Sequence, residues 1–124
     1  MLAGIYNITC QQGSTFGRTI TFKYPDPSSS PSDPTYLLWD FTDYTARMQV
    51  RRTVDSSTIL ISLTTENGRI TLGGASGTIE LNITAADTAA LTSSGVYDLE
   101  IISDDGVVDR IMQGDFTLSQ EVTR

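Results

Sequence analysis

The chain has 124 residues, 39% apolar and 19% charged, which fits one domain with one core and excludes a disordered chain. Eight basic against fifteen acidic side chains leave a formal charge of −7, which argues against nucleic acid as the main partner, because phosphate binding needs a positive field. No apolar run reaches the ~20 residues of a spanning helix and none resembles a signal-peptide core, so no membrane partner is expected and folding in a cytoplasm is.

In chain order, Met1-Leu2-Ala3-Gly4-Ile5 leads directly into strand-like sequence. Cys10 is the sole cysteine, so it can build neither an intrachain disulfide nor a zinc site, and a small buried apolar role is expected. Asn7-Ile8-Thr9 and Asn82-Ile83-Thr84 match the glycosylation sequon, yet without a secretory signal they read as exposed strand positions. Ile20, Phe22 and Tyr24 then alternate with Thr19, Thr21 and Lys23, the period-two pattern of a half-buried strand.

Pro25 to Pro34 holds four prolines and four serines, a composition that predicts an exposed loop over residues 25–35 rather than a sheet ladder. Tyr36, Leu37, Leu38, Trp39 and Phe41 follow it directly. An aromatic-rich segment leaving a loop is a candidate partner-docking surface, since Trp and Tyr dominate interface hot spots. The competing reading puts Trp39 into the core at the edge of the fold.

Ala46, Met48 and Val50 alternate with Arg47, Gln49 and Arg51. Arg47, Arg51 and Arg52 are the one basic cluster; they are candidates for contact with an acidic partner, or else ordinary solvated strand positions. The alternation recurs at Ile59, Ile61 and Leu63, at Ile70 and Leu72, at Ile79, Leu81 and Ile83, and at Tyr97, Leu99 and Ile101. Val108, Ile111, Phe116 and Leu118 fall out of strict register, which predicts a bulge or bend around Gly114. Turn signals such as Glu66-Asn67-Gly68, Gly73-Gly74 and Asp104-Asp105-Gly106 separate these runs. About seven to nine short antiparallel strands so spaced predict an all-β sandwich or small barrel in a single domain spanning 1–124.

One segment breaks the β pattern. Residues 84–91 predict a short helical turn, with Thr84 as its cap and Asp87 completing a capping-box-like pair. A short helix crossing between sheets just before a tyrosine is common in immunoglobulin-like sandwiches. Tyr97 is then either a tyrosine corner, its hydroxyl returning to upstream backbone, or an ordinary core tyrosine.

Reactive chemistry is scarce. There is no histidine, which removes the commonest general base and metal ligand and the usual nucleophile triads. No Gly-x-Ser-x-Gly elbow, phosphate-cradling loop or dinucleotide fingerprint is present. Asp98 and Glu100 share one strand face and are the one carboxylate pair to weigh as a hydrolase site, against a plain solvent-facing stripe. Asp104, Asp105 and Asp109 do not match a calcium loop, and a hairpin turn explains the first two. No catalytic residue, metal or cofactor is therefore assigned, and an enzyme is not expected.

Several stretches carry a resemblance. Phe41-Thr42-Asp43-Tyr44-Thr45-Ala46-Arg47-Met48-Gln49-Val50-Arg51, Gly77-Thr78-Ile79-Glu80-Leu81, Gly95-Val96-Tyr97-Asp98-Leu99-Glu100, Val108-Asp109-Arg110 with Gly114, and Glu121-Val122-Thr123-Arg124 appear in that order. Together they resemble small virion structural proteins of tailed bacteriophages, akin to the N-terminal immunoglobulin-like domain of phage baseplate upper proteins. The resemblance runs from the Gln12-Gly13 region to the last residue. The chain departs from it in the long Pro/Ser loop, in Trp39-Asp40-Phe41, and in ending at Arg124 with no fibre or receptor domain. It implies an immunoglobulin-like β-sandwich that acts without catalysis in the tail, baseplate or neck, as a connector or fibre-anchoring module. Expected partners are other virion proteins, with several copies per particle and assembly in the host cytoplasm. A capsid cement or decoration protein and a carbohydrate-binding module, with Trp39 and Tyr36 exposed to sugar, are the alternatives.

Overall fold

Period-two alternation becomes two facing β-sheets in a computed structural model that describes residues 3–123. Met1 and Leu2 at the predicted strand-like start, and Arg124 in the closing motif, lie outside the described residues. In chain order the strands are β1 (Gly4–Ile5), β2 (Ile8–Gln11), β3 (Phe16–Thr21), β4 (Lys23–Pro25), β5 (Tyr36–Leu38) and β6 (Thr45–Arg51). They continue as β7 (Ile59–Thr64), β8 (Ile70–Leu72), β9 (Thr78–Ile83), β10 (Gly95–Ile102) and β11 (Val108–Ser119). A 3-10 turn covers Gly74–Ser76, and the one α-helix among the described residues, α1, covers Ala85–Ala89.

The larger sheet runs β1-β11-β10-β6-β7, with β2 also on β11; the smaller runs β3-β9-β8. Counted along the sandwich, the second, fifth and sixth strands (β3, β8, β9) thus lie against the third, seventh and eighth (β6, β10, β11), with the fourth (β7) at the free edge of the larger sheet, as in an immunoglobulin-like sandwich. The protein is an all-β sandwich. Setting aside the separate β4–β5 hairpin, and counting β1 and β2 as two halves of one broken edge strand, leaves eight sandwich strands. One pairing departs from the antiparallel expectation: β1 and β2 both run parallel to β11.

The inward positions meet in one core. From the larger sheet come Ile8, Cys10, Met48, Val50, Leu63, Tyr97, Leu99, Ile101 and Phe116; from the smaller come Phe16, Ile70, Ile79, Leu81 and Ile83. Each fully buried aliphatic side chain contributes about 1.5–3 kcal/mol of transfer free energy, which outweighs the weak edge hydrogen bonding as the reason these strands stack. Cys10 sits in this core as expected, and burial pushes its thiol pKa up, so it stays protonated and inert.

The predicted helix forms. The Thr84 hydroxyl accepts the Asp87 N–H, as an N-cap should. The Asp87 carboxylate does not return to the Thr84 backbone. It pairs instead with Arg69 at 2.8 Å, and Arg69 first, then the Thr84 hydroxyl, hold its carboxyl below the ordinary value. Thr88, the one fully buried polar residue among those described, fastens this helix to the β2–β3 turn. Its hydroxyl donates to Ser14 O at 2.8 Å and accepts the Gly13 N–H at 3.0 Å.

Three expectations change, two of them in register. The bulge lies at Ile111, not at Gly114: Leu99 pairs with Met112 while Glu100 pairs with Arg110, leaving Ile111 as the extra residue. Ile111 and Met112 are consequently both buried, and the inward positions switch from odd to even numbers. Gly114 serves another purpose, since a Cβ there would lie 2.4 Å from the carbonyl oxygen of Tyr6. The Tyr97 hydroxyl donates to that same carbonyl, so its upstream backbone partner is the break between β1 and β2 rather than the corner before β10. Ile59, expected inward, is exposed, because a register shift falls between Val50 and Arg51 on the partner strand.

Candidate docking surface

The alternation of Ile20, Phe22 and Tyr24 outruns the sheet that it begins in. β3 ends at Thr21, and Phe22 is the pivot: its N–H reaches Gly77 O at 2.8 Å and its carbonyl accepts the Trp39 N–H at 3.0 Å. Beyond that pivot β4 and β5 pair only with each other, Lys23 with Leu38, Tyr24 with Leu37 and Pro25 with Tyr36. Gly77 permits the crossing. Its φ is +70°, and a Cβ there would lie 2.9 Å from Phe22 O and about as close to the Trp39 backbone.

The Pro/Ser segment is more ordered than a bare loop. Pro25 belongs to β4, at a strand end where its missing N–H costs nothing, and Ser30 bridges to Asp33. Asp26 organises the closure. Its N–H donates to Thr35 O at 2.9 Å, and its Oδ1 accepts both the Ser28 hydroxyl at 2.7 Å and the Ser28 N–H at 2.9 Å. Those two donors, the hydroxyl first, lower the Asp26 pKa.

All six strand residues of the hairpin are exposed, Tyr36 at 60%. Strand alternation puts Tyr24 and Leu37 on one face, and Pro25, Tyr36, Lys23 and Leu38 on the other. Both faces are therefore largely apolar. A two-stranded hairpin is marginal in water alone, and this one is held at its base by an aromatic chain. Tyr24 meets Trp39 edge to face at 6.0 Å; Trp39 stacks on Phe41 at 5.9 Å; Phe41 meets Phe22 and Tyr44 edge-on.

The predicted docking residues thus separate. Tyr36, Leu37 and Leu38 are exposed and Trp39 is half-buried. Phe41, however, is 2% exposed and belongs to the core, so it is not part of the surface. Tyr24 is a surface residue that the sequence reading did not include; its pairing with Leu37 across the Pro/Ser loop was the missing information.

The arginine cluster does not act as one grip. Arg47 pairs with Glu100 at 2.7 Å, Arg51 donates to Gln49 Oε1 and to Ser56 O, and Arg52 lies past the strand and donates to Ser93 Oγ at 3.1 Å. Register places these residues in mixed rows on the outer face of the larger sheet. Arg47, Glu100 and Arg110 form one row, Gln49, Asp98 and Gln113 the next, and Arg51, Val96 and Asp115 the third. Three arginines thus face three carboxylates, and no positive patch results. A shallow groove of about 410 Å³ runs along the second and third rows. Asp98 and Glu100 do share this face, but each lies beside an arginine, Arg110 at 3.9 Å and Arg47 at 2.7 Å. Exposed pairs of this kind contribute at most about 1 kcal/mol each. The Asp104-Asp105-Gly106 turn closes the β10–β11 hairpin as expected, with Gly106 at φ +90°.

Compared with known protein families and with curated proteins, the chain matches none.

Proposed function

We propose that this protein is a non-enzymatic structural component of a tailed-phage particle, in the tail, baseplate or neck, which binds neighbouring particle proteins through the β4–β5 hairpin. The observation that carries the docking part is a hairpin that pairs only with itself and is largely apolar on both faces, with Tyr36, Leu37 and Leu38 exposed. Water-exposed aromatic and leucine side chains gain free energy when a partner covers them, and they supply the anchors that interfaces use. The remainder of the surface carries the acidic excess of a −7 chain, which keeps free subunits apart before assembly. The phage setting is supported by the ordered motifs from Phe41-Thr42-Asp43-Tyr44 to the closing Glu121-Val122-Thr123-Arg124.

The test is mass spectrometry of purified particles from a host producing the protein. A stoichiometric band retained through density-gradient purification is expected. Absence of the chain from purified particles overturns the proposal. Localising a tagged copy on head or tail then separates a tail connector from a capsid decoration protein.

A further inference from the structure

The hairpin has a second feature that its apolar faces do not explain. A hollow of about 380 Å³ opens at its base, lined by Tyr24, Trp39 and Asp40. The two rings stand at 82° to each other, making a corner, and Trp39 is backed by Phe41 at an interplanar angle of 23°, which fixes that wall. Asp40 is held as well. Its Oδ1 accepts the Thr42 hydroxyl at 2.6 Å and the Thr42 N–H at 3.0 Å, while among the described residues nothing bonds its Oδ2. Both bonds, the hydroxyl first, lower the Asp40 pKa, so the group is anionic at neutral pH.

A cation in this hollow is attracted by the face of an aromatic ring through its quadrupole and by Asp40 through a full charge. The one nearby cation of the hairpin, Lys23, pairs with Leu38 and so lies on the face opposite Tyr24. Among the described residues, the lining of the corner includes no cation. A neutral sugar would stack on a ring and donate a hydroxyl to Asp40, but it would leave the negative charge uncompensated, whereas an organic cation neutralises that charge as well. We propose that the Tyr24–Trp39–Asp40 corner is a cation-binding site that receives an arginine or lysine side chain from the protein on which the hairpin docks. The partner's being a particle protein rests on the function proposed above; the site itself does not.

Trp39 is the sole tryptophan, so its fluorescence reports on this corner directly. The purified chain is titrated with N-acetylarginine methylamide and with tetramethylammonium, and in parallel with methyl glucoside and a maltooligosaccharide. Saturable, salt-sensitive change with both cations and none with the sugars is expected. Asp40→Asn, which can still accept the Thr42 bonds, should weaken cation binding several-fold while leaving the thermal midpoint in place. Tyr24→Leu should weaken it as well. No saturable response to either cation, a response to sugars instead, or unchanged affinity in Asp40→Asn overturns the proposal. Amide NMR shifts of Asp40 and Thr42 in the same titrations guard against a fluorescence change that arises elsewhere. A cation site in a chain absent from purified particles would leave this inference standing and remove the particle assignment; a particle component without cation binding would do the reverse.

Discussion

The sandwich and the hairpin are built from similar residues with opposite results. On β10, Tyr97, Leu99 and Ile101 point into a space closed by the facing sheet, and each is essentially buried. On β5, Tyr36, Leu37 and Leu38 are just as apolar, yet no second sheet covers them. Alternation with charged neighbours separates the first group from water, whereas three consecutive large side chains on a two-stranded element leave both faces wet. Apolar residues in one region hold the fold together; in the other they remain available for a partner.

That contrast can be broken at three places. The largest effect is expected in the core: Leu99→Ala, at a fully buried position on the central strand, should cost about 2–5 kcal/mol by chemical denaturation. A loss below about 1 kcal/mol would show that the sheets relax around the cavity and that the core is not the rigid half of the comparison.

The next effect concerns the point where the N-terminal edge strand is tied to the core. Tyr97→Phe removes the donor to Tyr6 O and should cost about 1–3 kcal/mol. Burial first, then the neighbouring Tyr6 phenol, raise the Tyr97 pKa well above that of a free phenol. A folded-state value above the unfolded one stabilises the neutral form. Its contribution is complete below the unfolded value, about pH 10, and is lost as pH rises toward the folded one. The wild-type thermal midpoint should therefore decline above about pH 10, and the Tyr97→Phe variant should show a shallower decline in the same buffers.

The smallest stability effect belongs to the hairpin, where it is the most informative. Leu37→Ser and Leu38→Ser should each change folding free energy by no more than about 0.5 kcal/mol, because neither side chain leaves a closed core. The same pair of substitutions should reduce incorporation into particles, measured against the wild-type chain in a mixed assembly. Large destabilisation instead would make the hairpin part of the core.

Much of this architecture was readable from residue order. The β6, β9 and β10 alternations predicted which residues turn inward, Thr84 with its alanines announced α1, and Asp104-Asp105-Gly106 marked the β10–β11 hairpin. These signals are local: a strand face repeats every two residues, and a cap needs only its own first turn. Of the candidate surface, Tyr36, Leu37 and Leu38 were legible because a Pro/Ser segment precedes them. Phe41 was not separable from them, because only the position of Phe22 and Tyr44 decides which aromatic faces the core.

By itself, then, the order of amino acids determined a β-rich chain, its main inward-facing residues, its main turns and the helical turn α1, since each depends on neighbours a few positions away. Tertiary structure alone decided that Ile111 takes the bulge, that β1 and β2 run parallel to β11, and that Gly114 makes room for Tyr6. It also decided that Arg47 meets a carboxylate 53 residues distant and that Tyr24 joins Trp39. The physical reason is common to all of them: strand pairing and side-chain contact join residues far apart in the chain, and a one-residue slip in either changes which face meets water.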